Sequence, residues 1–307
     1  MKVAIIGGTG FVGSYLVERL LADGHTPRLL VRPGSESKVV RPDGCERVPG
    51  VIGDPLALGE CLRGTEAVIY LIGILREFPA RGITFEALQY RGVVDTLAAA
   101  REQGVTRFIL MSANGIRPDG TAYQSTKFRA EEAVKGSGLR WTIFRPSVIF
   151  GDPRGRMEFC DQLKRDIIAS PLPAPLFFPG LSPLNAGQFE LAPVSVLDVA
   201  AAFAMALTDP RTESQTYGLC GPDRLSWKAI LTTIAAACGR TKWMLPAPAG
   251  AVKAMAALFE RYPWFPITRA QIEMLLAGNV CGADDGLARL GLKPRRFEAE
   301  SLTYLRD

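Results

Sequence analysis

The run Gly7-Gly8-Thr9-Gly10-Phe11-Val12-Gly13 limits what this chain can become more than any other feature. Residues 1–6, Met-Lys-Val-Ala-Ile-Ile, are short and apolar enough for a buried strand. Phe11–Ala22 follows, with Leu16, Leu20 and Leu21 at helical spacing. Strand, glycine turn and helix in that order make a phosphate site. Glycines turn the chain tightly and admit a ligand close to the backbone. The helix start then offers unpaired N–H groups and a positive dipole end to a pyrophosphate. Gly8, Gly10 and Gly13 fit the spacing G-x-G-x-x-G, while Gly7, Gly10 and Gly13 fit G-x-x-G-x-x-G. A purely structural turn is the competing reading. The dinucleotide reading makes Gly7, Thr9, Gly10, Phe11 and Val12 the candidate contacts.

Strand and helix patterns alternate beyond the turn. Residues 28–31, 45–52 (weakly), 67–72, Arg107–Met111 and 141–144 read as strands; 85–103 and Ala122–Lys135 read as helices. Apolar strands alternating with helices give an α/β fold: a Rossmann-type doubly wound parallel sheet, here with a smaller, mostly helical C-terminal lobe. The composition changes after Gly151. Residues 170–183 hold five prolines and read as a loop. Helices are expected over 200–207, with Asp198 as its cap, over 226–238 opened by Ser226, and over 248–260 and 268–277. The expected division is 1–150 for the nucleotide domain, with 188–207 packing back on it, and 151–307 for the smaller substrate or partner lobe.

The remaining composition excludes more than it suggests. Lys+Arg 36 against Asp+Glu 31 gives a net charge of +5, spread along the chain except at Lys293-Pro294-Arg295-Arg296. That is a solvated surface and not a nucleic-acid stripe. Cys45, Cys61, Cys160, Cys220, Cys238 and Cys281 form no C-x-x-C pair and are expected to be reduced core thiols, neither disulfides nor metal ligands. His25 is the single histidine and sits in a turn, so a Ser-His-Asp hydrolase or a zinc enzyme has no support. Met1-Lys2-Val3 leads straight into a strand, so no signal peptide is expected, and no run of 18 uncharged apolar residues occurs. The cytoplasm is the expected compartment. Residues 248–266 alternate Val252, Met255, Leu258 and Phe259 with Lys253 and Arg261. Such a helix lies on a membrane or, as the favoured expectation, packs on the sheet domain.

Several residues carry chemistry. The residue ending the second strand selects the cofactor: an acid bonds a ribose 2′-hydroxyl, a base accommodates a 2′-phosphate. Arg32 stands there, with Ser35 and Lys38 nearby, which favours NADP(H) and leaves NAD(H) possible. The competing reading is a surface arginine without a ligand. Asp54 either accepts from an adenine amino group or caps the helix that begins at Pro55. Leu71, Ile72 and Gly73 close the fourth strand and would line a cofactor cleft, or are ordinary core. Tyr123 and Lys127 stand four apart and share a helix face. A tyrosine has an ordinary pKa near ~10. A neighbouring ammonium favours the phenolate and suits the pair to moving the proton that accompanies hydride transfer.

Together these residues resemble the short-chain dehydrogenase/reductase superfamily, in its extended or atypical branch, over nearly the whole chain. The marks are the 7–13 turn, Tyr123 with Lys127, and Arg145-Pro146-Ser147-Val148-Ile149-Phe150-Gly151. The resemblance implies nicotinamide contacts from Pro146, Ser147 and Val148. Residues 141–146, 193–200, 218–222 and 266–275 with Asn279-Val280 are further similar to bacterial relatives of the nucleotide-binding accessory subunit of respiratory complex I. That similarity implies tightly held NADPH and a protein partner. Active members of the superfamily carry a serine or threonine beside the tyrosine. Here Ser112 is available, while the usual position holds Ala113 or Asn114, whose amide is a possible donor. A missing donor of this kind costs about 10²–10³ in rate. The sequence therefore implies an oxidoreductase acting on a carbonyl or sugar-nucleotide-like small molecule, with an NADPH-binding assembly protein as the alternative.

Overall fold

The computed structural model describes residues 1–180, 182–262, 265, 267–282 and 285–306. Contacts divide the chain into two compact units. One holds Met1–Pro146, Val196–Leu219 and Asp284–Lys293; the other holds Ser147–Ser195, Cys220–Ala283 and Pro294–Asp307.

The first unit is built on a seven-stranded sheet. Its strands are β1 (Lys2–Ile6), β2 (Thr26–Val31), β3 (Glu46–Pro49), β4 (Ala67–Tyr70), β5 (Arg107–Met111), β6 (Arg140–Pro146) and β7 (Gln215–Leu219). They run in the order β7-β6-β5-β4-β1-β2-β3, every pair parallel. The winding reverses at β1, which pairs with β2 on one side and β4 on the other, Ile6 standing opposite Leu30 and Tyr70. A reversal of this kind opens a crevice at the carboxyl ends of the strands. Val3 to Ile6, all of β4 and Phe108 to Leu110 are fully buried, because parallel strands are covered on both faces.

Helices α1 (Phe11–Ala22), α2 (Pro55–Leu62), α3 (Gly92–Glu102), α4 (Ala122–Lys135) and α5 (Val196–Thr208) belong to this unit. The helix expected over 85–103 opens instead as a π-turn, Glu86–Arg91, before α3. Gly92 explains the wide turn. A side chain there would fall 2.4 Å from the Tyr70 hydroxyl, and that hydroxyl donates to Leu88 O at 2.5 Å, drawing the carbonyl away from a regular α pattern. Helix α5 begins at Val196, four residues before its expected start. Asp198 is therefore inside its first turn and is not its cap. Strand β7 was not foreseen: it is short, carries Gly218, and finds its partner β6 some seventy residues earlier.

Arg107 fastens α5 to the sheet. The side chain is 2 % exposed, and burial lowers its pKa to about 10. Its guanidinium donates to Ala206 O at 2.6 Å, Arg140 O at 2.9 Å, and the hydroxyls of Thr142 and Thr212 at 2.5 and 3.0 Å. Carbonyl and hydroxyl oxygens thus take the place of a carboxylate around a buried cation.

The second unit packs α6 (Trp227–Ala237), α7 (Ala249–Phe259) and α8 (Arg269–Leu276) with three two-stranded pairings. The proline-rich 170–183 stretch contains a strand, Ala174–Phe178, parallel to Met244–Pro248. Prolines are tolerated because each strand has a single partner and most N–H positions need not be bonded. Trp227 is buried, stacks between Phe177 and Phe189 at 6.2 and 5.9 Å, and donates its indole N–H to Pro175 O at 2.9 Å. Phe177, Phe178 and Phe189 are therefore core. Helix α7 meets α8 and the strand Met244–Pro248 within this unit, burying only Ala249 and Ala256. Pro266, in the 266–275 stretch singled out above, lies outside the described residues.

One expectation about the cysteines is overturned. Cys220 and Cys281, 61 residues apart, form a disulfide, while Cys45, Cys61, Cys160 and Cys238 stand outside it as thiols. No local spacing signals such a bridge. Ala192 N donates to Asn279 O and Gly221 N donates to Ala192 O, which brings both segments to Ala192. Among the described residues no group of His, Cys, Asp and Glu side chains is placed to hold a metal ion, and no helix is long and apolar enough to cross a membrane.

Arg107→Ala is expected to remove the guanidinium donors from Ala206 O and Arg140 O and to cost about 3 kcal/mol of stability. Urea unfolding checks this through a lowered midpoint at unchanged slope.

Candidate dinucleotide and catalytic site

The glycine turn is a cradle at the sheet reversal. Gly7 has φ +97°, and a side chain on it would press on Ile72 N at 3.2 Å. At Gly13 a Cβ would lie 2.4 Å from Gly7 O and 2.7 Å from Gly8 Cα. Helix α1 can therefore start against the turn only with glycine at that position. Gly10 N donates to Gly7 O at 3.1 Å, closing the turn. Gly10 is the N-cap of α1 without a side-chain cap, and the first turn has no acidic residue. The first N–H groups of α1 and its positive dipole end thus face outward beside Thr9, Phe11 and Val12, the conditions under which a helix start takes a phosphate.

Arg32 follows β2 in a turn closed by Ser35 N on Arg32 O at 3.0 Å. Its side chain is exposed, and among the described residues its one hydrogen bond is from Nε to Ser35 Oγ at 3.1 Å. Asp54 caps α2: Oδ1 accepts from Leu56 N at 2.9 Å and Ala57 N at 3.3 Å, the second of its two expected uses. Leu71 N continues the β1 ladder on Ile6 O, Leu71 is buried, and Gly73 is exposed at the strand exit.

The catalytic candidates converge at the ends of β4 and β5. Lys127, only 2 % exposed, donates from Nζ to Met111 O at 2.9 Å and Ile72 O at 3.3 Å. Burial lowers its pKa to about 8, partly offset by the Glu131 carboxylate. Two of its three donors are placed, leaving one for a ligand. Ser112, next after Met111, is 4 % exposed, and its hydroxyl has no hydrogen-bond partner among the described residues. An orphaned hydroxyl of this kind calls for an explanation. Asn114 N donates to Pro146 O at 3.0 Å, fixing the end of β6.

Tyr123 differs from expectation. It stands one turn before Lys127 on α4, but the ammonium does not lower its pKa. Burial pushes the phenol up to about 12, and its ring meets Phe85 edge-on at 5.8 Å. The reason is where Lys127 points: its hydrogen bonds go to strand-end carbonyls and not to the phenol. Ser147 and Val148 belong to the second unit, where Ser147 Oγ donates to Asn279 O at 2.9 Å and Val148 O accepts from Val194 N at 2.9 Å.

A cradle that admits no side chain, an open helix start and an unpartnered buried hydroxyl fit a bound dinucleotide. A family model described as NAD(P)H-binding matches residues 7–166. The chain belongs to the NAD(P)H-binding family. Within the curated relatives, the ceramide reductase of Caulobacter vibrioides is 36% identical over 150 residues, 48% of this chain and 46% of that protein. The match thus spans less than half of that relative. The 40 kDa subunit of mitochondrial NADH-ubiquinone oxidoreductase from Neurospora crassa is 25% identical over 99% of this chain and 78% of that protein. Among solved structures, the UDP-glucose 4-epimerase of Thermus thermophilus in complex with NAD superposes with a TM-score of 0.71 at 20% identity, covering 99% of this chain and 97% of that one. That likeness establishes the fold. The short-chain dehydrogenase/reductase resemblance, with relatives among both reductases and complex I subunits, stands.

Sequence reasoning missed two residues of the NAD(P)H-binding unit that shape the site. Gln89 is buried, donates from Nε2 to Ile74 O at 2.8 Å and accepts from Thr126 Oγ1 at 3.2 Å, tying the exit of β4 to α4. Its signal is an amide on the same face as Val93 and Ala100. Glu131, fully buried, takes the Arg145 guanidinium at 2.9 and 2.6 Å and so holds α4 against β6.

Lys127 gives a pH signature. Its folded pKa, about 8, lies below the ordinary lysine value of 10.5, so the unfolded chain binds the extra proton between them. The Lys127 contribution to stability therefore rises as pH increases through that window, by on the order of 3 kcal/mol, against the falling contribution of the buried thiols and phenols whose pKa values are raised. In Lys127→Met this rise is expected to vanish, measured as unfolding free energy against pH in both proteins.

Proposed function

We propose that the protein is an NADP(H)-dependent reductase of a carbonyl or a sugar-nucleotide-like small molecule. The observation that carries this reading is the buried, unpartnered Ser112 hydroxyl one residue from the carbonyl that holds Lys127. A donor left without a partner in a dry site suits a substrate carbonyl oxygen on which charge develops.

Reduced nicotinamide, when bound, supplies the hydride. Gly7, Thr9, Gly10, Phe11 and Val12 hold the pyrophosphate through backbone N–H groups, and Arg32 takes the 2′-phosphate with its terminal nitrogens. Leu71, Ile72 and Gly73 line the cleft beyond, with Asp54 beside it and Pro146 contributing backbone. Lys127 holds a ribose hydroxyl with its remaining donor. Ser112, assisted by Asn114, polarises the carbonyl. Tyr123 is the general acid: a phenol whose pKa is about 12 is protonated at neutral pH, the form needed to give a proton to a nascent alkoxide.

The same phenol favours a second reading. At about 12 it is a weak acid, and no ammonium is directed at it. A protein that binds NADPH without turning it over and presents a surface to a partner needs no better acid.

Tyr123→Phe separates the two. Loss of NADPH oxidation across a panel of aldehydes, ketones and nucleotide sugars, with NADPH affinity retained, is the result the reductase predicts. Bound NADPH that wild-type protein never discharges supports the second reading. Arg32→Ala is expected to weaken NADPH binding by roughly 10–100-fold while leaving NADH affinity nearly unchanged, since one charged hydrogen-bonding group is lost. An unaltered preference for NADPH removes Arg32 from the site.

A further inference from the structure

We infer that the second unit carries a docking face for an anionic lipid surface, centred on Trp243. Three segments build it. Ala174 N donates to Trp243 O at 2.7 Å, and Lys242 donates to Ile168 O at 3.4 Å and to Ser170 O, so residues 168–173 and 240–243 line one open cleft of about 430 Å³. The short turn Pro183–Asn185 touches the strand Met244–Pro248, and that strand runs directly into α7. Large apolar side chains stand outward from all three: Leu172 at 71 % exposure, Leu184 at 88 %, Trp243 at 85 %, and Leu258 at 66 %. Met255 and Phe259 add to the α7 share, because that helix buries only Ala249 and Ala256.

The charge on these segments has one sign. Residues 239–259 contain Arg240, Lys242 and Lys253 and no Asp or Glu; residues 167–185 contain no charged residue. A second copy of the chain set face to face would bring cations against cations, which opposes self-association. An anionic bilayer meets both features at once: tryptophan and leucine enter the headgroup boundary while lysine remains at its charged level. The α7 lysine reaches that level along its own apolar stem. Glu260, the first acid after this run, pairs with Arg269 at 2.6 Å and adds no open negative charge.

The test is flotation of the full-length protein with vesicles of phosphatidylcholine alone and of equal parts phosphatidylcholine and phosphatidylglycerol. Each cation near the surface contributes about fivefold in partition. Binding is expected on the anionic vesicles, with a gain of about 20-fold over neutral ones, falling about fivefold in Lys253→Gln. Leu172→Ser/Trp243→Ser is expected to abolish it while thermal unfolding and NADPH affinity stay at wild-type values. Equal partition onto both vesicle types, or none onto either by folded protein, overturns the proposal. So does vesicle-free self-association that Trp243→Ser removes, since the occupant is then a second copy.

Discussion

The contact between Gly13 and the Gly7-Gly8 turn sets the arrangement of the first unit. Because no Cβ fits there, α1 starts directly against the end of β1, and its N-terminal amides open at the point where the sheet reverses. Residue Gly7 in turn lies against the backbone of Ile72, so the exit of β4 borders the same turn. Two strands that are neighbours in the sheet but distant in sequence thereby share one edge. The dinucleotide cradle and the catalytic candidates follow from that edge and not from any single side chain.

The electrostatics of the site come from burial. Lys127 is kept in a dry place by strand-end carbonyls and by Glu131, which in turn is clamped by Arg145. Tyr123 is raised by the same dryness with no compensating cation. Tyrosine and lysine are thus shifted in opposite directions, each toward its neutral form, which is the behaviour of two groups desolvated side by side without touching. A ligand that takes the remaining Lys127 donor, or that meets the Ser112 hydroxyl, alters the surroundings of both.

Much of the first unit was legible in the sequence because its signals are local. A glycine turn between an apolar strand and an amphipathic helix, and short β-branched runs between helices, say what they are within a dozen residues. Long-range features were not legible. Strand β7 has no sequence neighbour to announce it, the Cys220–Cys281 bridge joins segments 61 residues apart, and the strand Ala174–Phe178 is concealed by the prolines around it. The Tyr123 to Lys127 spacing fixed the helical placement correctly, yet not the direction of either side chain, because the lysine answers to carbonyls on β4 and β5 that the spacing cannot reveal.

The central claim is that the cradle between β1 and α1 holds a nicotinamide dinucleotide by its pyrophosphate. Calorimetric titration of nucleotide-free protein with NADPH tests it most directly. The account predicts saturable heat at one site per chain and a raised melting temperature in the bound protein. No saturable heat, with the protein folded and carrying no nucleotide, would contradict it.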